Sequence, residues 1–107
     1  MKFNTQVCTT REQSERLLAL GLKKETADCH HWYAEGKWYT YIGKPNEFNC
    51  VPAWSLHRLV SMCADNNFLS SNQISLYNFS TYDRAIDLAE YLIIHNHFNK
   101  QYINESL

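Results

Sequence analysis

Hydrophobic positions change period along the chain, and each change marks an element. After Thr10, Leu17 and Leu18 recur with Ser14 one turn earlier, the spacing of an inward helical stripe. Thr10 with Gln13 three residues on fits a capping box, and Gly21 fits a left-handed C′ position with Leu22 packing back on Leu17. This predicts a helix over 10–20. Before it, residues 2–7 read as a short edge strand, and 23–28 turn the chain.

The period then drops to two. Residues 29–43, CHHWYAEGKWYTYIG, read as a β-hairpin with a tight turn at Glu35-Gly36. That turn sets the register. Tyr33 pairs with Trp38, His31 with Thr40 and Cys29 with Ile42 on one face. Trp32 with Tyr39 and His30 with Tyr41 fall on the other. Both faces carry rings, whereas a hairpin buried on one side alternates apolar with plainly polar residues.

Residues 44–49 are a polar connection. Pro52 fits the first turn of a second helix, in which Leu56, Leu59, Val60 and Cys63 face the core. Trp54 and Arg58, four apart, are placed to stack. Asp65-Asn66-Asn67 ends that helix. Residues 74–79 alternate Ile74 and Leu76 against Ser75, Tyr77 and Phe79, a third strand. Ser80 with Asp83 makes a second capping pattern, which opens a helix over 81–99. Its main stripe is Tyr82, Ala85, Ile86, Ala89, Leu92 and Ile93, and Leu88, Tyr91 and Phe98 form a displaced second one. Residues 101–107 read as a frayed tail. The expected fold is α+β: a two-layer domain over 1–107, with a small, mainly antiparallel sheet of about three strands packed on three helices.

Composition narrows the class. At 107 residues with 45% apolar and 20% charged, the chain suits one folded domain with little core to spare. Aromatic residues reach 14%, so rings supply much of the buried area. A net charge of −1 carries no electrostatic footprint for duplex DNA or anionic membranes. No secretory signal and no membrane span are read, so the cytoplasm is the expected location. Cys8, Cys29, Cys50 and Cys63 form no CxxC pair and read as free thiols rather than a disulfide framework.

The candidate chemistry is sparse. Cys29 and His31 share a strand face and are candidate metal ligands, but a closed site needs about four. His30 points to the opposite face. His95 and His97 diverge around a helix, as do Ser55 and His57, and no nucleophile elbow or phosphate loop is present. No cofactor is implied, and an enzyme is the minority reading, a small metal-dependent one around Cys29, His30 and His31. The rings are the stronger signal. His30, Trp32, Tyr39 and Tyr41, with Trp38 and Trp54, and Leu88, Tyr91 and Phe98 on the last helix, are the expected contact residues. The leading expectation is a non-enzymatic protein–protein interaction module that self-associates as a homodimer. The alternative is a stacking platform for single-stranded nucleic acid or glycan, with Lys37 and Lys44 nearby.

The segments LLALGL (17–22), ETAD (25–28), the aromatic hairpin and VPAWSLHRLV (51–60) together resemble a family of short proteins of gut anaerobes, their phages and mobile elements. The resemblance covers roughly residues 10–60. It implies a small α/β domain, dimeric and of unassigned role, and transfers no functional residue. CHHW stands where relatives carry simpler aromatic strands.

Overall fold

The computed structural model describes residues 6–44, 50–65 and 81–104. Helix α1 spans Arg11–Ala19, and its capping box is formed as expected between Thr10 and Gln13. It ends in a Schellman motif: Leu22 N–H donates to Leu17 O (3.2 Å) and Gly21 N–H to Leu18 O (3.0 Å). Gly21 takes φ +100°, and a Cβ there would lie 3.4 Å from Ile103 Cγ2. Gly21→Ala is expected to lower the unfolding free energy by about 1 kcal/mol or more. The urea midpoint reads this, and an unchanged midpoint would show that the cap tolerates a side chain.

A 3-10 turn at Lys24–Thr26 leads into β1 (Cys29–Ala34), which pairs antiparallel with both β2 (Lys37–Ile42) and β3 (Cys50–Ala53). The sheet order is β2-β1-β3. Helix α2 spans Leu56–Ala64 and α3 spans Tyr82–Ile94. α2 packs on α3, and α1 packs on both β3 and α3. Among the described residues, the architecture is the expected α+β sandwich of a small antiparallel sheet and three helices.

Several local expectations are corrected. Pro52 does not start α2; it lies in β3, opposite His30. In a central strand, alternate residues bond alternate neighbours. Asp28 O accepts from Gly43 N–H (2.7 Å), so His30 belongs to the set bonded towards β2. Its pair with Pro52 is therefore non-hydrogen-bonded, and an edge strand tolerates a residue without an N–H there. α2 begins four residues later, capped by the Ser55 hydroxyl, which accepts from Arg58 N–H (3.1 Å). Asp28 does not cap its own turn. Its carboxylate accepts from Ser55 N–H (2.8 Å) and from the Ser55 hydroxyl (2.6 Å), which ties the start of β1 to the cap of α2.

α3 is capped by Thr81 rather than Ser80, with Thr81 Oγ1 accepting from Arg84 N–H. It stops well short of residue 99. Asn96 adopts φ +63°, Asn96 N–H donates to Ile93 O (3.1 Å) and His97 N–H to Leu92 O (2.7 Å). This is a Schellman closure in which asparagine takes the left-handed position. The tail is not frayed through 104. Lys23 N–H donates to Tyr102 O and Asn104 N–H to Gly21 O, both at 2.8 Å, which fastens a 3-10 turn at Lys100–Tyr102 against the end of α1. The strand expected over 74–79, the connection over 45–49 and most of the strand over 2–7 lie outside the described residues. Gln6 and Val7 are not in a strand.

The core joins Leu17, Leu22, Trp54, Leu59, Met62, Cys63, Ile86 and Leu92. Met62 enters where Leu56 and Val60 were expected and are only half-buried. The two apolar stripes of α3 are covered unequally. Leu88 and Phe98 join the core, whereas Tyr91 and Ile94 remain exposed. Arg16 spans the outer side of the α1–α3 contact to Asp87 and Glu90. Exposed pairs of this kind add little stability.

Candidate functional site

The hairpin is built as its register requires. Glu35 and Gly36 take φ +51° and +78°, the two positive values of a type I′ turn. The pairs Cys29–Ile42, His30–Tyr41, His31–Thr40, Trp32–Tyr39 and Tyr33–Trp38 all form. α1 packs on β3, and β2 is exposed along its whole length.

The two faces differ. On the first, the Cys29–His31 end is covered by residues 8–9 and Ala53. His31 Nε2–H donates to Thr9 O (2.7 Å), and Nδ1 shares a hydrogen bond with the Thr40 hydroxyl (2.8 Å). The other end stays open at Tyr33, Trp38 and Ile42. There the Arg11 guanidinium lies 4.2 Å above the Trp38 ring, a cation–π contact that no sequence spacing signals. On the second face, Trp32, Tyr39 and Tyr41 are 37%, 41% and 42% exposed. Tyr41 is their hub: its ring centroid is 5.4 Å from His30, stacked, and 6.2 and 6.5 Å from Trp32 and Tyr39. His30 Nδ1–H is fixed on Gly43 O (3.0 Å). Lys37 alternates onto this face with Tyr39 and Tyr41.

Among the described residues, β2 pairs only with β1. By the alternation that frees Pro52, the N–H and C=O groups of Trp38, Thr40 and Ile42 point away from β1. Ile42 is 81% exposed and belongs with the rings, although the ring pattern alone did not single it out.

Other expected contact residues are elsewhere. Trp54, Leu88 and Phe98 are 0%, 5% and 6% exposed and belong to the chain's own core, so they cannot offer a face to a partner. Trp54 does not stack with Arg58. Its Nε1–H donates to Thr26 Oγ1 (2.9 Å), while the Arg58 guanidinium lies over the Tyr102 ring. Tyr91 is exposed beside His95 on α3. Ser55 is spent on capping α2 and on Asp28, not aimed at His57.

Cys29 and His31 do share a face, and Cys8 joins them, its Sγ 4.0 Å from His31 Nε2. Both His31 nitrogens are engaged, and among the described residues no group of three or more His, Cys, Asp or Glu side chains is placed to hold a metal ion. The thiols are held in their protonated form: burial pushes Cys8 and Cys63 up to about 12, and burial beside Asp28 raises Cys29. These are poor nucleophiles. In the unfolded chain thiols ionise near 9.0, so their contribution to stability is full below that pH and is lost as pH climbs towards about 12. Tyr82, chiefly through burial, and Tyr102, chiefly through its bond to Asp65, are raised in the same direction. The urea midpoint is expected to fall across this alkaline window; a flat profile would count against the buried-thiol assignment.

No helix among the described residues is long and apolar enough to cross a membrane. Compared with known proteins, the chain matches no family model, no curated protein and no solved structure, so the reading of this hairpin rests on its own geometry.

Proposed function

We propose that this protein is a non-enzymatic interaction module that self-associates as a homodimer through the edge of β2. The observation that carries this is the exposed β2 strand, which among the described residues has no partner on its outer side and is lined with rings on both faces. Such an edge is an invitation to pair with another strand, and soluble proteins normally blunt or cover it. The sequence of β2 suits a second copy of itself. An antiparallel pairing with Thr40 on the two-fold axis uses the outward groups of Trp38, Thr40 and Ile42 in both copies. It sets Trp38 of each copy against Ile42 of the other, Thr40 against Thr40, and Tyr39 against Tyr41. Aromatic–aliphatic, Thr–Thr and aromatic–aromatic pairs are the favourable cross-strand combinations. The isologous contact would join two three-stranded sheets into one. Sedimentation at tens of micromolar should return twice the 12.6 kDa chain mass. A monomer at that concentration overturns the reading.

A second reading is supported by the cluster around Tyr41. His30, Trp32, Tyr39 and Tyr41 with Lys37 form a platform on which single-stranded bases or sugar rings would stack. Quenching of tryptophan fluorescence by oligonucleotides or oligosaccharides would favour it, and an unchanged signal would dismiss it. We place the protein in the cytoplasm because its cysteines form no CxxC pair and Cys8 and Cys29 pack as buried thiols. We also place it among the short proteins of gut anaerobes and their phages, on its ETAD and PAWSL segments. Phage or plasmid genes beside its own would support that placement, and a housekeeping operon would overturn it.

A further inference from the structure

On the other side of the fold, three segments distant in sequence converge on a cleft of about 580 Å³. The Lys24–Thr26 turn, the first turn of α2 and the Lys100–Tyr102 turn supply its lining. Arg58 is held rigidly in it. Its Nε–H donates to Thr26 O (2.9 Å), and its guanidinium carbon lies 5.6 Å from the centre of the Tyr102 ring. Both supports are themselves fixed. The Thr26 hydroxyl donates to Lys23 O (2.6 Å) and accepts from Trp54 Nε1–H. The Tyr102 hydroxyl donates to Asp65 (2.7 Å), and its carbonyl accepts from Lys23 N–H.

What is left over is the end of the fork. Among the described residues, neither Nη atom of Arg58 has a hydrogen-bond partner, and neither Arg58 nor Lys23 is in an ion pair. Lys23 and Arg58 face one acid in the lining, Glu25, which leaves the cleft net positive. A guanidinium anchored through Nε, backed by a ring and open at both Nη atoms is set for two parallel hydrogen bonds to an oxyanion. Ordering the side chain, a usual cost of binding, is already met by the fold.

We infer that this cleft binds a small organic oxyanion, a carboxylate or phosphate, gripped by the Arg58 Nη atoms. Lys23 adds charge, and the amides of Gln101 and Asn104 serve the polar body of the ligand. The volume falls within the usual range of small-molecule sites, roughly 300–1,000 Å³.

The test is a titration of the full chain with inorganic phosphate and, separately, with citrate. It is followed by proton–nitrogen NMR at Arg58 Nε–H and the amides of Thr26 and Gln101. Saturable shifts confined to these groups are expected, and the probe that saturates at lower concentration identifies phosphate or carboxylate as the preferred class. Arg58→Lys keeps the charge but removes the fork and should weaken binding at least about tenfold. Lys23→Ala removes a rim charge with no side-chain bond to the fold and should weaken it roughly threefold, which keeps the test valid if Arg58→Lys does not fold. Absence of saturable shifts with either probe, or shifts unchanged in both variants, would overturn the site.

Discussion

Replacing Trp54 with alanine is expected to cost about 3–5 kcal/mol of stability, the usual range for emptying a fully buried tryptophan site. A domain of this size has only about 5–15 kcal/mol in total. The expected result in a urea or thermal melt is therefore a chain close to unfolded at ambient temperature. The position concentrates several roles. The side chain is 0% exposed at the centre of the core. Its Nε1–H holds Thr26, and its backbone is clamped by Thr9: Thr9 N–H donates to Trp54 O (2.9 Å) and Trp54 N–H to Thr9 Oγ1 (3.0 Å). Trp54→Phe keeps most of the apolar area but loses the indole N–H, so it should cost less, on the order of 1–3 kcal/mol. A loss under about 1 kcal/mol for Trp54→Ala would mean that the core does not centre on this ring.

Thr40→Pro is expected to weaken self-association by roughly a hundredfold or more. The Thr40 N–H faces away from β1, so proline there leaves the β1–β2 ladder intact. At the two-fold axis it removes both donors of the central pair and leaves each opposing carbonyl unmet. Each buried unsatisfied group costs about 1–3 kcal/mol, and about 1.4 kcal/mol is a factor of ten in affinity. The substitution also removes the hydroxyl that bonds His31. Thr40→Val separates the two effects, because it loses that bond and keeps the N–H, and it should remain dimeric. Sedimentation of both variants, with far-UV circular dichroism to confirm folding, checks this. A Thr40→Pro protein that dimerises as tightly as the parent would place the contact elsewhere, with exposed Tyr91 and Ile94 of α3 the next surface to probe.

The hairpin was legible from the chain because everything that defines it is local. Gly36 permits the turn, the turn sets the register, and the register assigns Trp32, Tyr39 and Tyr41 to one face. The α1 caps were legible for the same reason: Thr10, Gln13, Gly21 and Leu22 act within one turn of each other. Pro52 shows where local reasoning ends. A proline suits both the first turn of a helix and an edge strand, and only its pairing with His30 chose between them. Trp54 and Phe98 show the same limit for rings. An aromatic residue at helical spacing suits a core or an interface equally, and burial in this fold put both in the core.

The sequence by itself thus determined the α+β class, the two-faced hairpin and its register, because these follow from period-two and helical patterns and from backbone chemistry within a few residues. Tertiary structure alone decided which strands flank β1, which rings are spent on the core, and that β2 is exposed along its length. It also brought Lys23, Arg58 and Tyr102 to one cleft. Those outcomes depend on contacts between segments tens of residues apart, and no local spacing encodes such contacts.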